Sequence, residues 1–162
     1  MKSCFLFGHR ETTEAVLPQL LALLEKHILD YDVTCFLVGH YGGFDQVAAN
    51  ALRIMKRKYP YITIMLLLPY HPAIRSVEKP EGFDGTYYPE NLERVPKPYC
   101  IVSANKEAVR TSDHIIANVR HTVGNSYKLM LYAEKLGKPI TLLETAALGS
   151  AHKDHKKGRV SF

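Results

Sequence analysis

Short apolar runs alternate along this chain with segments in which apolar side chains recur every three or four positions. The runs Cys4–Phe7, Cys35–Val38, Ile62–Leu68, Tyr99–Val102, His114–Ala117 and Ile140–Leu143 are predicted as strands. Most lack a period of two, as expected when helices cover both faces of a parallel sheet. Between them, Leu17, Leu20, Leu21, Leu24 and Ile28 share one face of a first helix, where Pro18 predicts a late start or a kink. Phe44, Val47, Ala48, Ala51, Leu52 and Met55 make a cleaner stripe on a second, with Gln46, Arg53, Lys56 and Arg57 on other faces. Asn105–Arg110 reads as a short turn of helix. A last helix runs from Ser126 to Leu136 and is stopped by Gly137 and Pro139. The pattern predicts an α/β fold of three layers with a mainly parallel sheet of about six strands.

One segment breaks the alternation. Six of the nine prolines, Pro69, Pro72, Pro80, Pro89, Pro96 and Pro98, fall between residues 69 and 98. That density excludes a long helix or a central strand. An ordered excursion or lid is expected there, with Tyr70, Tyr87 and Tyr88 covering a core edge or offering stacking surfaces. No internal repeat and no second domain is visible. Residues 1–150 read as one domain and residues 151–162 as a basic tail, expected to be disordered.

Composition narrows the class. A chain of 162 residues with 46% apolar and 23% charged side chains supports one core without staples. It excludes disordered, collagen-like and disulfide-scaffold proteins. The longest apolar stretch, Ile62 to Pro69, is eight residues with Thr63 inside it, far below the roughly 20 of a membrane helix. Met1-Lys2-Ser3-Cys4 leads directly into a strand-like run, so neither a leader nor a membrane partner is expected. Cys4, Cys35 and Cys100 cannot all pair and lack metal-type spacing. They are expected to be reduced, buried and structural, in a cytoplasmic protein. No metal is expected, and His152 and His155 in the tail are no more than incidental ligands. The net charge of +5 shrinks when it is partitioned. Lys153, Lys156, Lys157 and Arg159 against Asp154 leave the first 150 residues at +2. With a nearly neutral body, nucleic acid is not the expected partner, beyond non-specific contact of the tail with phosphates.

Candidate chemistry lies in three loops that leave strands and open helices, the edge where open α/β sheets bind ligands. The first strand ends in Gly8-His9-Arg10-Glu11-Thr12-Thr13. There glycine admits a ligand to the backbone, Arg10 can fork onto a phosphate, and Thr12 or Thr13 can cap a helix. The second ends in Gly39-His40-Tyr41-Gly42-Gly43-Phe44-Asp45, whose glycines would expose helix N–H groups to an anion. Asp45 is either an N-terminal cap or an acceptor for ribose hydroxyls. Neither the dinucleotide nor the P-loop fingerprint is present. The loop after His114–Ala117 holds Arg120, His121, Gly124, Asn125 and Ser126, with Ser126 a cap candidate and His121 a possible acid or base. Convergence of the three would suit a phosphorylated small molecule, a nucleotide above all.

The same residues resemble the SLOG superfamily. The resemblance is carried by Phe7-Gly8-His9-Arg10, by Val38-Gly39 with Gly42-Gly43-Phe44-Asp45, and by Tyr87-Tyr88-Pro89-Glu90. Asn105, Ser112-Asp113 and Gly124-Asn125-Ser126-Tyr127 before Tyr132-Ala133 continue it in the right order to about Glu144. This superfamily of Rossmann-like proteins includes the LOG phosphoribohydrolases, the DprA DNA-processing domain and YpsA-like bacterial proteins, and the last branch is the most similar. The resemblance implies a bacterial, Rossmann-like nucleotide binder, often a homo-oligomer. Ala104-Asn105 stands where relatives have Arg-Asn, after the expected fourth strand. The stretch from Ser126 to Met130 lacks the glutamate that LOG enzymes place there, and the first acid is Glu134. The resemblance therefore does not imply LOG-type cleavage.

Three functions follow as expectations. The first is binding or sensing of a nucleotide or nucleotide derivative, held by Gly8, His9, Arg10, Gly39, Gly42, Gly43, Phe44, Asp45, Asn105, His121, Gly124, Asn125 and Ser126, with no further cofactor. The second is hydrolysis of an N-glycosidic or phosphoribosyl bond, with Asp45 or His121 in place of the missing glutamate. The third is a module for interaction with protein or nucleic acid.

Overall fold

The apolar run at the N-terminus becomes the middle of the sheet. In the computed structural model, which describes residues 1–144, β1 (Lys2–Gly8) pairs in parallel with β2 (Val33–Val38) on one side and β5 (His114–Asn118) on the other. β3 (Thr63–Leu67) and β4 (Gly85–Tyr87) extend one wing, and β6 (Ile140–Leu142) ends the other. The order is β4-β3-β2-β1-β5-β6, with every pairing parallel. Cys4, Phe5, Leu6 and Phe7 are all buried because helices lie on both faces. The chain reverses direction across the sheet between β1 and β5, and the loops leaving those two strands diverge above a crevice. The three-layer α/β fold is the one the pattern predicts. The proposed tail, residues 151–162, lies outside the described residues.

One face is closed by α1 (Leu17–Asp30) and α2 (Gly43–Lys58). All six residues of the second helix stripe are buried, with Phe44, Ala48, Ala51 and Leu52 fully so. Pro18 falls within the first turn of α1, where its missing N–H is no loss. The other face carries α3 (Cys100–Thr111) and α4 (Asn125–Lys135). A second cluster forms there from Phe5, Phe7, Leu67, Ala104, Ala108, Val109, Leu129 and Met130.

Two expectations are corrected. Tyr99–Val102 is no strand: Tyr99 ends a 3-10 turn and Cys100–Thr111 is helical throughout. Four apolar residues cannot distinguish a strand from a helix start, and the burial of Cys100, Ala104 and Ala108 at four-residue spacing belongs to a helix. The short helical turn expected over Asn105–Arg110 is consequently the second half of a longer helix, and Asn105 sits midway along α3. The sixth strand comes instead from the proline-rich excursion, whose short β4 takes an edge position, where prolines nearby do least harm. Asp84 docks it: its carboxylate accepts the Ile64 N–H (2.8 Å), its own N–H donates to the Ile64 carbonyl (2.9 Å), and Lys56 pairs with it at 3.1 Å. Phe83 and Leu92 plug the excursion into the clusters on the two sheet faces. Tyr87 and Tyr88 pack partly buried against the core, while the Tyr70 ring lies 4.4 Å from the Arg75 guanidinium. The excursion is not a lid over the cleft described below, to which it contributes Pro69 alone.

The three cysteines are free; Cys4 and Cys100 are buried and Cys35 half-buried. Burial pushes the Cys4 and Cys35 thiols up. Cys100 begins a helix, not the strand expected for it. Among the described residues no helix is long and apolar enough to cross a membrane.

Candidate ligand-binding cleft

The loops after β1, β2 and β5 meet at the carboxyl edge of the sheet, above a cleft of 690 Å³. That is ample for a small-molecule ligand. Gly8, His9 and Arg10 line it from the first loop, Gly39, Gly42 and Asp45 from the second, and His121, Gly124, Asn125 and Ser126 from the third. Asn105 joins them from α3. Two expected residues do not line it. Phe44 is wholly buried in the core between α2 and the sheet. Gly43 is turned into the protein: its N–H donates to the Arg10 carbonyl at 2.9 Å, and the Phe44 N–H donates to the His9 carbonyl at 3.3 Å.

The start of α2 is therefore not the open anion cradle that its glycines suggest. Its amides hold the β1–α1 loop. A Cβ on Gly43 would stand 2.4 Å from the Arg10 carbonyl oxygen and 2.5 Å from that of Thr12, so a hydrogen is all that fits. Asp45, three residues past the Gly42 cap position, is not the cap. Its carboxylate reaches back to accept the Tyr41 N–H at 2.8 Å. The other oxygen accepts no hydrogen bond from the described residues. Burial drives this carboxyl up to about 6, against the Tyr41 N–H and the Arg10 charge, which both pull it down.

The start of α4 is different. Gly124 takes the cap position at φ 93°, a backbone conformation in which a β-carbon is strained. Nothing lies within 4 Å of where its Cβ would be. Ser126 sits inside the first turn and makes no capping bond, contrary to the cap expected there. The amides of Asn125, Ser126 and Tyr127 find no acceptor among the described residues. The Arg10 side chain makes no hydrogen bond among them either and is exposed, so a guanidinium and the start of a helix both face this cleft.

A polar network that the sequence did not disclose fixes this end. Asn118, at the last position of β5 and 3% exposed, donates from Nδ2 to Thr12 Oγ1 (2.8 Å). Thr12 in turn donates to the His9 carbonyl at 2.8 Å. Asn118 Oδ1 accepts from Arg120 Nε at 3.2 Å, and its carbonyl accepts the His9 N–H at the same distance. His9 Nε2 accepts the N–H groups of Arg120 (2.8 Å) and His121 (3.3 Å). Burial holds the His9 imidazole below its ordinary value, with His121 and Arg120 adding to the effect. A neutral ring with a free Nε2 lone pair is the form this network requires. Thr13, the alternative cap, accepts the Ala15 N–H at 3.3 Å. The only sequence signal for Asn118 is an amide directly after the apolar run His114–Ala117.

His9, Glu11 and His121 also bring ligand-type atoms within 4.8 Å of one another, a grouping the sequence did not suggest. The His9 and His121 rings lie 4.5 Å apart. Because His9 Nε2 already serves two backbone amides, a cation bound through that atom would have to displace both.

No family model matches this sequence, and no curated protein matches it. Solved structures do share its fold. The molybdenum cofactor binding protein of Rippkaea orientalis superposes with a TM-score of 0.57 at 16% identity, over 87% of this chain and 75% of its own. The single-stranded-DNA-binding DNA processing protein A of Helicobacter pylori gives 0.59 at 17% identity, over 87% of this chain. This chain spans 64% of that protein's length. These likenesses establish a Rossmann-like α/β fold. The second gives no support to the expectation that nucleic acid is not a partner.

Proposed function

We propose that the cleft binds a nucleotide or nucleotide derivative and that binding, with sensing as its output, is the function of the domain. One observation carries the reading: Arg10 and the helix start at Asn125 and Ser126, whose amides have no acceptor among the described residues, line one cleft built from three strand-to-helix loops. A phosphate there would gain charge-assisted bonds from a helix start and a guanidinium together. The spare oxygen of Asp45 then takes a ribose hydroxyl. The SLOG resemblance and the shared fold support the same reading, including a homo-oligomer to be sought by sedimentation.

The test is a thermal-shift panel of nucleoside mono-, di- and triphosphates, followed by calorimetric titration of the one that stabilises most. A ligand at a hundred times its Kd should add about 2.7 kcal/mol of stability. Arg10→Ala should weaken that ligand about ten- to a hundredfold and leave the melting temperature of the free protein unchanged. If no nucleotide raises the melting temperature, or if Arg10→Ala binds like the parent, the reading fails. A second reading, hydrolysis of an N-glycosidic bond, draws on one feature: a carboxyl at about 6 is poised to give or take a proton near neutrality. Chromatography for released base decides it, with Asp45→Asn as the inactive control.

A further inference from the structure

The cleft is longer than its glycine-lined end. It continues between α3 and α4 down to the sheet, over an apolar floor of Phe5, Phe7 and Leu67 and past Ile101, Leu129 and Tyr132. Lys106 on α3 and Lys128 and Lys135 on α4 line this extension. All three are exposed, and none has an ion-pair partner among the described residues. Lys106 Nζ stands 5.4 Å from the Tyr132 ring centre, which ties one ammonium to the wall. The acids lining the whole cleft, Glu11 and Asp45, belong to the β1 and β2 loops. The extension is thus apolar below, purely basic along its rim, and without counter-charge.

Helix geometry supplies the scale. From Gly124, Lys128 lies about 6 Å and Lys135 roughly 16 Å along the α4 axis. A single phosphate at the Gly124 end cannot reach the far lysine. We infer that the ligand carries a second anionic group, and that the cleft takes two nucleotides joined in line: a terminal phosphate at Arg10 and Gly124, and a second phosphate among Lys106, Lys128 and Lys135. Its bases lie against the half-buried Tyr132 and the exposed Val102 and Leu131 that line the same cleft, where contact is tolerant of sequence. This inference rests on the nucleotide reading above and adds the length and charge of the ligand. An open groove with its two basic ends apart suits a linear dinucleotide better than a cyclic one, in which the ring brings the phosphates together.

The experiment titrates the full chain calorimetrically with AMP, with 5′-phosphorylated diadenylate (pApA) and with cyclic di-AMP. pApA should bind at least tenfold more tightly than AMP and than the cyclic compound. Its affinity should fall more steeply with salt, the slope of log K against log salt being larger by about 0.7 for each added phosphate contact. The double variant Lys106→Ala, Lys135→Ala should erase the tenfold gain and leave AMP binding unchanged, whereas Arg10→Ala should weaken both. Equal binding of AMP and pApA, or a double variant that keeps the gain, overturns the inference and leaves the nucleotide reading standing. Tighter binding of cyclic di-AMP overturns the linear form. Failure of all three to bind overturns both. A double variant that changes sedimentation and not affinity would assign the groove to a second copy of the chain, and overturns the inference too.

Discussion

Two helices of this protein begin at glycines on the same edge of the same sheet, and their starts do opposite things. At α2, the Gly43 and Phe44 amides are spent on carbonyls of the β1–α1 loop, and a Cβ on Gly43 would collide with two backbone oxygens. At α4, Gly124 has open space where its Cβ would be, and the amides after it have no acceptor among the described residues. The first glycine lets the protein approach itself. The second leaves the approach to something else. A glycine before a helix is therefore no measure of anion binding until the destination of the first-turn N–H groups is known.

The sharpest way to break this contrast is substitution at Gly43. Gly43→Ala should destabilise by about 3 kcal/mol or more, because backbone at 2.4 Å and 2.5 Å must move. Urea unfolding measures it, and a near-parental midpoint would show that the α2 start is looser than described. The Asn118→Ala variant probes the link between the two loops. It leaves Thr12 Oγ1 without a donor and removes the Arg120 contact inside a buried site, at a cost of about 1–3 kcal/mol. Hydrogen exchange should become faster at the His9, Arg120 and His121 amides together. If exchange rises at only one of the loops, they are not coupled.

Acid separates the two ends of the sheet. The Asp45 carboxyl sits at about 6 in the folded protein and near 3.9 when unfolded, so the folded state holds the extra proton between those values. Stability from this group therefore falls as pH rises from 4 to 6. Asp45→Asn, which can still accept the Tyr41 N–H, should gain about 1–2 kcal/mol above pH 6 while losing ribose contacts. His27 works with the opposite sign at the far edge of the sheet. It is 1% exposed, its Nδ1 is 2.8 Å from the Leu23 carbonyl, and burial lowers it to about 4. Here the unfolded chain holds the extra proton below pH 6.5, so stability is lost as pH falls toward 4. Chemical denaturation from pH 4 to 7 should show the two slopes partly cancelling in the parent, and the His27 slope exposed in Asp45→Asn. Parallel profiles for the two proteins would place Asp45 in water.

The smallest effect is expected at the open start. Gly124→Ala meets no atom, and only its backbone conformation, φ 93° with ψ 176°, opposes the change, by about 1 kcal/mol or somewhat more. A loss as large as that at Gly43 would remove the distinction drawn between the two helix starts.

What could be read from the sequence follows the physics of each signal. The α2 stripe was legible because six apolar residues at helical spacing fit one buried face and nothing else. The convergence of Gly8, Gly42 and Gly124 was legible because parallel strands send every strand-to-helix loop to one edge. Tyr99–Val102 was not, since four residues hold no full period of either pattern. The role of Gly43 was hidden because its partner, the Arg10 carbonyl, is backbone that any sequence would carry. Asn118 was hidden by distance: its hydrogen-bond partner Thr12 lies 106 positions away. The lysines on α3 and α4 belong to no motif, and only the folded chain brings Lys106, Lys128 and Lys135 to one cleft.

The central place of β1 has a consequence in time. Its edge toward β2 can be satisfied once residue 38 exists, but the other edge waits for β5, which starts at His114. A ribosome adding 5–20 residues per second needs roughly 4–15 s to cover that interval. Throughout it, the strand that carries the buried run Cys4–Phe7 presents a bare row of N–H and C=O groups to its surroundings. Newly made chains of this protein are thus most vulnerable to aggregation before β5 is made, and a message truncated after β4 would yield a product fixed in that exposed state.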